Sequence, residues 1–537
     1  MSEPHPLNLI VVGGNAGGMS FATRARRLSE KAQITVFETG SYVSFANCII
    51  KDDKALTIQT PQSLKARFNV DVHPDSDVVG IDREAKTVKV KVFGENEWKL
   101  FQYDKLVLAQ GAEPFRPPIE GLDSEHRIHG SSGKKVTDVA IIGGGFIGIE
   151  VVDALSSPDT KVHILEYTPH VFPQLDSDIA HIIQTELQRN GVVVITNARM
   201  QKIEKGSVIL ENHHPIPADV VIGAVGARGR TALAKNAGLA VGRTGVAVND
   251  SMKTSDPSIY AAGDMVETYH RVAQTHMNTA LAGPANRQGR LAADNIFGRA
   301  VSYRGNVGTS ACKVFDLTVA STGLSVQVLK RMGRKVEWVT VHPPDHAGYY
   351  PGATPITLKV AFDPDTGVLL GAQAVGKNGV DKRIDVLSTA TQGNMTIFDL
   401  EHLELAYAPP YGSAKDPVNM AGFAGSNVMR GDVEIIHAEN ISIIDLIEKE
   451  VVDVRSTKEF ANGHLKTAIN IPIEQLREKM EDLNKAREIL VYCQVGYRGY
   501  LGYRILKQAG FDVKNLDGGF KLVVDGGFES LQDRSAK

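Results

Sequence analysis

Two short runs of apolar residues in the first 150 positions are each followed directly by a glycine-rich turn. Residues 9–12 lead into the turn 13–18, and apolar positions then recur at helical spacing over 19–30. Residues 139–142 lead in the same way into 143–148. Continuous apolar runs of this length are typical of buried parallel strands. Both segments therefore predict a strand, a tight turn and a helix.

Each of these turns has the features of a dinucleotide site. Glycine amides and a helix N-terminus can approach a pyrophosphate, and an acid about 20 residues later can hold a ribose. Glu38 and Glu166 end the two following apolar runs. Asn15 replaces the middle glycine of the first turn, so that turn alone is also compatible with a plain strand-to-helix connection. A third element, IYAAGD at 259–264, follows. Together the three elements predict two dinucleotides, a flavin and a nicotinamide.

Length and charge exclude several classes of protein. A chain of 537 residues predicts about three to four domains. With 42% hydrophobic and 23% charged residues, we expect it to fold. The net charge of −3 provides no positive field for nucleic acid or an anionic membrane surface. The chain shows neither a signal-peptide pattern nor an apolar run of the roughly 18 residues that a membrane span needs. We therefore expect neither a nucleic-acid nor a membrane partner.

The three cysteines, Cys48, Cys312 and Cys493, are far apart in the sequence and form no C-x-x-C pair. They predict neither a disulfide framework nor a four-cysteine zinc site, and we assign no metal ligands. An oxidising compartment would leave at least one of them unpaired, so we expect free thiols in a reducing cytoplasm. Cys312 lies in a strand-like run and is interpreted as a core residue.

Residues 8–430 resemble the flavoprotein disulfide reductases that bind two dinucleotides. The motif SFANC around Cys48, together with GGNAGG at 13–18, is similar to the coenzyme A-disulfide reductase branch. Glutathione-reductase-like members carry two nearby cysteines, whereas Cys48 has no such partner. It would pair with a bound thiol, a persulfide sulfur or an oxygen as sulfenic acid, unless it is a buried packing residue. Ala16 stands where related NADH peroxidases carry a histidine, so a peroxide-handling acid is absent.

The resemblance implies the residues of three small-molecule sites. Glu166 favours an unphosphorylated ribose and hence NADH, although NADPH stays open. Arg24 and Arg27 lie one helical turn apart and either bind phosphates or form a solvated helix face. The implied FAD contacts are Gly13, Gly14, Ala16, Gly17, Glu38, Ala109, Gly111, Gly263 and Asp264. The implied NADH contacts are Gly143, Gly145, Phe146, Ile147, Gly148, Glu166 and Gly226. The implied coenzyme A contacts are Ser20, Arg24, Arg27, Ser44, Asn47, Tyr349 and Tyr407.

Two tyrosine-rich stretches, HAGYYPGA and LAYAPPYGSAKDPVN, resemble the dimerisation domain of that family. In this branch, tyrosines of these motifs reach across a homodimer to the partner's Cys48. A phenol beside a thiolate can orient the sulfur or donate a proton. The resemblance does not say which tyrosine of each stretch has this role; Tyr350 and Tyr411 are slightly favoured.

A new domain is predicted to begin after Asn440, and it contains a second cysteine motif. An apolar run at 489–492 delivers Cys493 into the turn 494–498, and a helix is predicted to begin near Gly499. Such a turn directs backbone amides at the sulfur and stabilises a thiolate or persulfide, with Arg498 adding positive charge. Residues 446–525 resemble a single-domain rhodanese. Gln494 stands where many thiosulfate sulfurtransferases carry arginine, which puts thiosulfate in doubt as the donor.

These sites together favour an FAD-dependent NAD(P)H reductase of persulfide, polysulfide or coenzyme A disulfide. In this hypothesis Cys48 attacks the substrate sulfur and Cys493 delivers sulfane sulfur. The sequence does not separate a persulfide from a disulfide substrate. The alternatives are an NADH oxidase that cycles Cys48 through sulfenic acid, and a non-enzymatic flavin redox sensor or sulfur carrier.

The chain departs from the family pattern in two places. Family members continue after the redox cysteine with a Gly-Leu-Pro-Tyr-like helix start, whereas residues 49–52 are Ile-Ile-Lys-Asp. The interval from Gly111 to Gly143 is also shorter than expected. If segments beside Cys48 are truly missing, catalysis at this cysteine is in question.

The predicted fold class is α/β. It comprises two interleaved Rossmann-like dinucleotide-binding domains, an α+β dimerisation domain and a rhodanese-like α/β domain. The predicted bounds are 1–125 and 251–308 for the FAD domain, 126–250 for the NADH domain, 309–432 for the dimerisation domain, 433–445 for a linker and 446–537 for the rhodanese domain.

Overall fold

The computed structural model describes residues 6–44, 58–122 and 136–533. The chain divides into two compact units. The first unit comprises Met1–Pro118 and Ala224–Gly308, and the second comprises Ile119–Gly223 and Thr309–Lys537. Since the chain enters the first unit twice, the predicted interleaving of domains is present, and the α/β class is confirmed.

A parallel five-stranded sheet forms the centre of the first unit. Its middle strand consists of the apolar run predicted from sequence and is buried almost throughout, as expected where helices cover a parallel sheet. In spatial order the strands are Ile259–Ala261, Lys105–Leu108, Asn8–Val12, Gln33–Phe37 and Asp71–His73.

Two long helices, Ala16–Leu28 and Ala282–Ile296, pack closely together in this unit. Glycines allow the contact, because a Cβ atom at Gly289 would lie 2.1 Å from the carbonyl oxygen of Gly17. The shorter helices are Pro61–Phe68 and Ala232–Asn236. The peripheral strands are Ser76–Asp82, Thr87–Val92, Trp98–Gln102, Ala112–Pro114, Ala227–Gly229, Val246–Ala247, Val266–His270 and Thr275–Asn278.

The second unit begins with another parallel sheet that contains the second glycine turn. Its strands, in spatial order, are Val193–Ile195, Lys161–Leu165, Asp138–Ile142 and Val220–Gly223. Helices Phe146–Leu155 and Ser177–Arg189 belong to the same domain. A small antiparallel sheet consists of Met200–Glu204, Ser207–Leu210 and Ile216–Pro217.

An antiparallel five-stranded sheet with three helices and a short 3-10 turn follows in this unit, in the region predicted for dimerisation. Cys312 is buried in its edge strand, as the sequence predicts, and burial raises the pKa of its thiol to about 12. The strands, in spatial order, are Ser310–Val314, Leu317–Gly323, Leu369–Gly376, Thr357–Phe362 and Glu337–Val341. The helices are Val326–Arg331, Val380–Gln392 and Pro417–Met429, with the 3-10 turn Asp399–His402.

The last domain is a parallel sheet with helices on its connections. Its strands, in spatial order, are Ile435–Ile436, Val513–Leu516, Ile489–Tyr492, Glu450–Asp453 and Ile469–Asn470. The helices are Ile443–Glu448, Thr457–Ala461, Leu476–Lys479, Tyr497–Gln508 and Gly519–Asp525. A separate two-stranded ribbon pairs His464–Leu465 with Gln532–Asp533.

The last domain begins earlier than the predicted start at residue 446. The segment 433–445, predicted as a linker, contains Ile435–Ile436, which pairs with Val513–Leu516 as the edge strand of the sheet. A strand of two residues is too short to show a period in sequence, so its pairing is visible only in the fold.

The boundaries of the nucleotide domains also differ from those expected. Ala224–Gly308 belongs to the first unit, so the second nucleotide domain ends at Gly223 rather than at residue 250. The boundary predicted between 125 and 126 lies outside the described residues. Across the described ranges, no helix is both long enough and apolar enough to cross a membrane.

Candidate active sites

The first glycine turn closes against the end of the neighbouring strand. Gly13 has φ +110°, and a Cβ atom there would lie 2.2 Å from the carbonyl oxygen of Ala109, so only glycine fits. Glu38 follows the second strand, and its Oε2 accepts a hydrogen bond from the amide of Gly14 at 2.6 Å. Helix Ala16–Leu28 begins within this glycine-rich segment, 13–18. The strand, turn, helix and acid predicted for a dinucleotide site therefore lie together.

The residues around this turn fit a flavin dinucleotide. Gln110 carries a buried Oε1 atom without a hydrogen-bond partner, beside the left-handed Gly111 at φ +69°. Gly263 has φ +86° and brings Asp264 to the end of another strand of the same sheet, where burial raises the pKa of the Asp264 carboxyl. A desolvated carboxylate and an unpartnered amide oxygen are the acceptors that sugar hydroxyl groups need.

The residues predicted to contact coenzyme A in the first unit are only partly described. Arg24 is bound by Asp294, with 2.6 Å between Nη2 and Oδ1, so phosphate binding there would compete with a carboxylate. Arg27 is exposed on the same helix, and Ser20 donates to the side chain of Asn286. Ser44 donates its amide proton to the Gly14 carbonyl oxygen. Cys48 and Asn47 lie outside the described residues.

The second glycine turn repeats the geometry of the first. The Gly144 amide donates to Oε2 of Glu166 at 2.6 Å. A Cβ atom at Gly148 would lie 2.0 Å from the carbonyl oxygen of Gly143, whereas one at Gly145 would meet nothing within 4 Å. Gly148 therefore serves the packing of helix on strand, while Gly145 leaves space in front of the helix N-terminus. This open space fits the pyrophosphate of a dinucleotide.

Three other predicted nicotinamide-site residues have different surroundings. Phe146 begins the helix and packs edge-on against Phe172 at 5.1 Å, while Ile147 is half exposed. Gly226 lies in the first unit, where its carbonyl oxygen accepts from the Phe115 amide. Sequence reasoning missed Thr168, whose amide and hydroxyl both donate to Oε1 of Glu166 and hold the carboxylate in place.

The four tyrosines of the dimerisation domain are all exposed to some degree. The hydroxyl groups of Tyr349 and Tyr407 lie 3.0 Å apart, so the structure joins the two motifs that are 58 positions apart in sequence. This hydrogen bond raises the pKa of Tyr349. Tyr350 packs edge-on against His346, and Tyr411 is 74% exposed. The motifs therefore form one phenol-bearing surface.

The predicted sulfur loop is present in the last domain. Strand Ile489–Tyr492 places Cys493 at its end with no exposed surface, and Gly496, at φ +97°, turns the chain into helix Tyr497–Gln508. We call residues 493–498 the Cys493 loop. The first amides of a helix have no intrahelical partner, so those of this helix face the loop as anion donors.

Arg498 lies beside the sulfur and forms a two-pronged ion pair with Glu459, with N–O distances of 2.9 and 2.6 Å. The Glu459 hydrogen bond is the main cause that raises the pKa of Arg498, and Cys493 adds to it. Sequence reasoning missed Glu459. A signal was available, because Ser456 and Glu459 have capping-box spacing, and the structure shows that box.

The segment Asp517–Gly518–Gly519 supports the Cys493 loop from behind. A Cβ atom at Gly519 would lie 2.6 Å from the Cys493 carbonyl oxygen, and that oxygen accepts from the Phe520 amide at 2.8 Å. The dimerisation sheet holds the same segment, because the Thr340 amide donates to Asp517 at 3.0 Å. The Cys493 loop is therefore fixed to the dimerisation domain through the segment 517–519.

His342 makes a second link between the dimerisation sheet and this supporting segment. Its Nε2 donates to the Gly518 carbonyl oxygen at 3.0 Å, and its Nδ1 accepts from the Thr357 hydroxyl at 3.0 Å. Burial, with a smaller effect of Lys521, lowers the pKa of His342 to about 3. The folded protein therefore requires this ring to be neutral.

We expect His342 to make the second unit lose stability as the pH falls. The unfolded ring takes up a proton near pH 6.5 and the folded ring only near pH 3, so stability is complete above pH 6.5. Between these values it falls by up to about 1.4 kcal/mol per pH unit. Thermal denaturation from pH 7.5 to 5 should show a steeper loss for the wild type than for His342→Gln.

His402→Gln, at an exposed position, is the control and should keep the wild-type slope. His437 is present in both the wild type and His342→Gln, so its effect is common to the two slopes. Its folded pKa is raised by its bonds to Asp517 and Glu337 despite the opposing effect of burial, so its contribution changes only above pH 6.5. Equal slopes for wild type and His342→Gln would contradict the role of His342.

Comparisons with known proteins identify the families to which three parts of the chain are similar. Residues 7–288 match the model of the pyridine nucleotide-disulphide oxidoreductase family, residues 309–416 match its dimerisation domain, and residues 438–526 match the rhodanese-like domain. Coenzyme A disulfide reductase of Staphylococcus haemolyticus is 33% identical over 438 residues, covering 77% of this chain and 98% of the relative.

Two solved structures resemble almost the whole chain. The reduced Bacillus anthracis CoADR-RHD has a TM-score of 0.94 and 40% identity, and the match covers 98% of this chain and 99% of that one. An NAD-dependent persulfide reductase from A. fulgidus has a TM-score of 0.89 and 37% identity, covering 96% and 100%. The resemblance inferred from the sequence motifs is confirmed. The chain belongs to the pyridine nucleotide-disulphide oxidoreductase family and carries a rhodanese-like domain after its dimerisation domain.

Proposed function

We propose that this protein is an NAD(P)H-dependent reductase of persulfides or coenzyme A disulfide whose rhodanese-like domain supplies sulfane sulfur. The observation that carries the proposal is the presence, in one chain, of two dinucleotide turns and a cysteine held in an anion-binding loop. FAD at the first turn and the nicotinamide dinucleotide at the second would supply electrons when bound. Gly14 and Glu38 would hold the flavin dinucleotide.

NADH is the proposed nucleotide because of the acid at the second turn. Glu166 is buried and fixed by the Gly144 amide and by Thr168. A 2′-phosphate would be placed against this carboxylate, whereas a ribose hydroxyl would donate to it. We expect NADPH to bind more weakly for that reason.

Cys48 is proposed as the redox residue of the first site, on the strength of its SFANC motif. Its thiolate would attack the outer sulfur of a persulfide or one sulfur of a disulfide, and a thiol would leave. The chain is proposed to act as a homodimer in the cytoplasm. The surface of Tyr349, Tyr350, Tyr407 and Tyr411 would face the partner's Cys48, where a phenol can hold or donate a proton.

An NADH oxidase is the second candidate, because a water-forming NADH oxidase from Lactobacillus brevis has a TM-score of 0.75 and 25% identity. That match covers 79% of this chain, against 96% for the persulfide reductase. An oxidase that reduces oxygen would have no use for the Cys493 loop. The extent of the similarity therefore favours the sulfur reaction.

Anaerobic stopped-flow absorbance tests the proposal. The NADH-reduced protein is mixed separately with coenzyme A persulfide and with coenzyme A disulfide at equal concentrations, and flavin reoxidation is followed. We expect rapid reoxidation by at least one of them. Sulfide release with the persulfide would identify a persulfide reductase, and faster reaction with the disulfide would identify a thiol-recycling reductase.

Cys48→Ser is the matched variant for this experiment, because serine keeps the size of the side chain and removes the thiolate. It should retain flavin and lose reoxidation by both sulfur compounds. If neither compound reoxidises the wild type while oxygen does so rapidly, the oxidase is the correct function. If Cys48→Ser reacts like the wild type, Cys48 is not the redox residue.

A further inference from the structure

Three basic residues that belong to the Cys493 loop or contact it are each bound by an acid. Arg498 is held by both oxygens of Glu459 at 2.9 and 2.6 Å. Arg455, which is almost fully buried, is bound by Asp453 with 2.6 Å between Nη2 and Oδ2. Lys521, whose amide donates to the Gln494 carbonyl oxygen, pairs its ammonium group with Asp525.

Gln494 uses its own side chain to satisfy one of these cations. Its Oε1 accepts a hydrogen bond from Nη1 of Arg455 at 3.0 Å. This nitrogen therefore donates to the Gln494 amide and not to a ligand. Arg455 is further enclosed by the ring of Phe520 at 4.4 Å. Gln494 therefore adds no charge to the loop, and it occupies a guanidinium nitrogen of Arg455 that could otherwise bind a ligand.

The ion pair at Arg498 persists over the whole physiological range. The hydrogen bond from Arg498, which outweighs the opposing effect of partial burial, lowers the pKa of Glu459 to about 2. Glu459 is therefore ionised at physiological pH. Its negative charge compensates the positive charge of Arg498 at the loop. No proton equilibrium near neutral pH frees the guanidinium.

The outer rim of the loop is uncharged and partly apolar. Val495 is 38% exposed and Tyr497 is 62% exposed, and both flank Gly496 at the turn. Leu501, one helical turn beyond Tyr497, is exposed as well. A donor that approaches Cys493 therefore meets apolar side chains and neutralised arginines.

We infer that Cys493 takes sulfur from a persulfide at the end of an uncharged organic arm rather than from thiosulfate, and that Glu459 sets this preference by neutralising Arg498. This inference rests on the proposed function and narrows the donor to one chemical class. The pantetheine end of coenzyme A is an arm of this kind. Arg498 remains beside the sulfur to orient the small persulfide anion.

The transfer step balances without an added oxidant or reductant. The Cys493 thiolate attacks the outer sulfur of R–S–S⁻, a new S–S bond forms, the original S–S bond breaks, and R–S⁻ leaves and takes a proton from water. The Cys493 sulfur is oxidised to a persulfide and the inner sulfur of the donor is reduced to a thiol. With thiosulfate the leaving group is the sulfite dianion, which needs an uncompensated cation beside it.

The experiment compares two donors on the flavin-loaded full chain. Thiosulfate and the persulfide of N-acetylcysteamine, an uncharged mimic of the pantetheine end, are each supplied with cyanide, and thiocyanate formation is measured. Cyanide removes the outer sulfur of the Cys493 persulfide and restores the thiolate. The rate with Cys493→Ser gives the uncatalysed background. We expect a kcat/KM at least about tenfold higher for the organic persulfide.

Glu459→Gln keeps the size of the side chain and removes its charge. It should raise the ratio of kcat/KM for thiosulfate to kcat/KM for the organic persulfide by roughly tenfold or more. Tyr497→Lys adds a cation to the exposed rim without touching the ion pair, so it gives the same test if Glu459→Gln fails to fold. Glu434→Gln breaks the exposed pair with Lys507 and is the control, for which both donors should react as with the wild type.

A wild type that prefers thiosulfate would overturn the inference. So would folded Glu459→Gln and Tyr497→Lys variants with unchanged donor ratios. The flavin reoxidation experiment reports separately on the proposed function. Failure of reoxidation together with the expected donor ratios would leave the assignment at Cys493 in place and remove only the link to the reductase.

Discussion

Replacing Cys493 with serine should lower sulfane sulfur transfer by about 10³-fold or more, because the thiolate is the only atom of the loop that can form a persulfide. Cys493 lies without exposed surface at the end of a buried strand, directly before the helix that carries Arg498, and Arg498 interacts with it. A serine hydroxyl fits the same space. It does not carry a sulfane sulfur. Thiocyanate formation from an organic persulfide and cyanide measures the loss.

Two further measurements give this prediction its controls. Cys312→Ser removes a thiol that is buried in a strand and whose pKa is raised to about 12, so transfer should stay at the wild-type rate. Flavin reoxidation of Cys493→Ser by free coenzyme A disulfide should also be unchanged, since that reaction is assigned to Cys48. Equal loss of both activities would show that Cys493 acts in the flavin reaction too.

Alanine at Gly148 should destabilise the fold at the second glycine turn whereas alanine at Gly145 should not, although both should weaken NADH binding. A Cβ atom at Gly148 would lie 2.0 Å from the Gly143 carbonyl oxygen, so helix and strand must separate. Such overpacking costs about 3 kcal/mol. We expect Gly148→Ala to lower the thermal denaturation temperature clearly and to lose NADH binding as a consequence of the damaged turn.

Gly145→Ala isolates ligand binding from folding. Gly145 has φ −80°, which alanine adopts readily, and a Cβ atom there meets no atom of the protein within 4 Å. The denaturation temperature should therefore stay at or slightly above that of the wild type. The Kd for NADH should rise at least about tenfold, because the added methyl group occupies the space in front of the helix N-terminus. An unchanged Kd would contradict the assignment of this turn to the nicotinamide nucleotide.

Local patterns were sufficient for the elements that carry both nucleotide turns. The strands Asn8–Val12 and Asp138–Ile142 follow from continuous apolar runs, because strands buried on both faces need apolar side chains at every position. The turns follow from glycines that avoid clashes of 2.2 Å or less. The pairing of Cys493 with a following helix was equally visible, although that helix begins at Tyr497 rather than near Gly499.

Contacts between distant segments were not visible in the sequence. The sequence indicates that Arg24 either binds phosphates or lies on a solvated helix face, and it does not indicate the ion pair with Asp294, which lies 270 positions away on another helix. Ile435–Ile436 was placed in a linker, yet it pairs with Val513–Leu516. Neither residue type nor spacing indicates such partners. In both cases the packing of the helices and the sheet determines which residues become partners.

The sequence by itself determined which chemistry this protein has: two dinucleotide turns, a cysteine in an anion-binding loop, and a pair of tyrosine-rich motifs. These features are local, since each depends on residue types within a few positions of one another. Only the tertiary structure decided the electrostatics of the sulfur site. Glu459 neutralises Arg498 across 39 positions, and His342 fixes the Gly518 segment across 176. Charge compensation and burial depend on distances in space, and the chain sets those distances only when it folds.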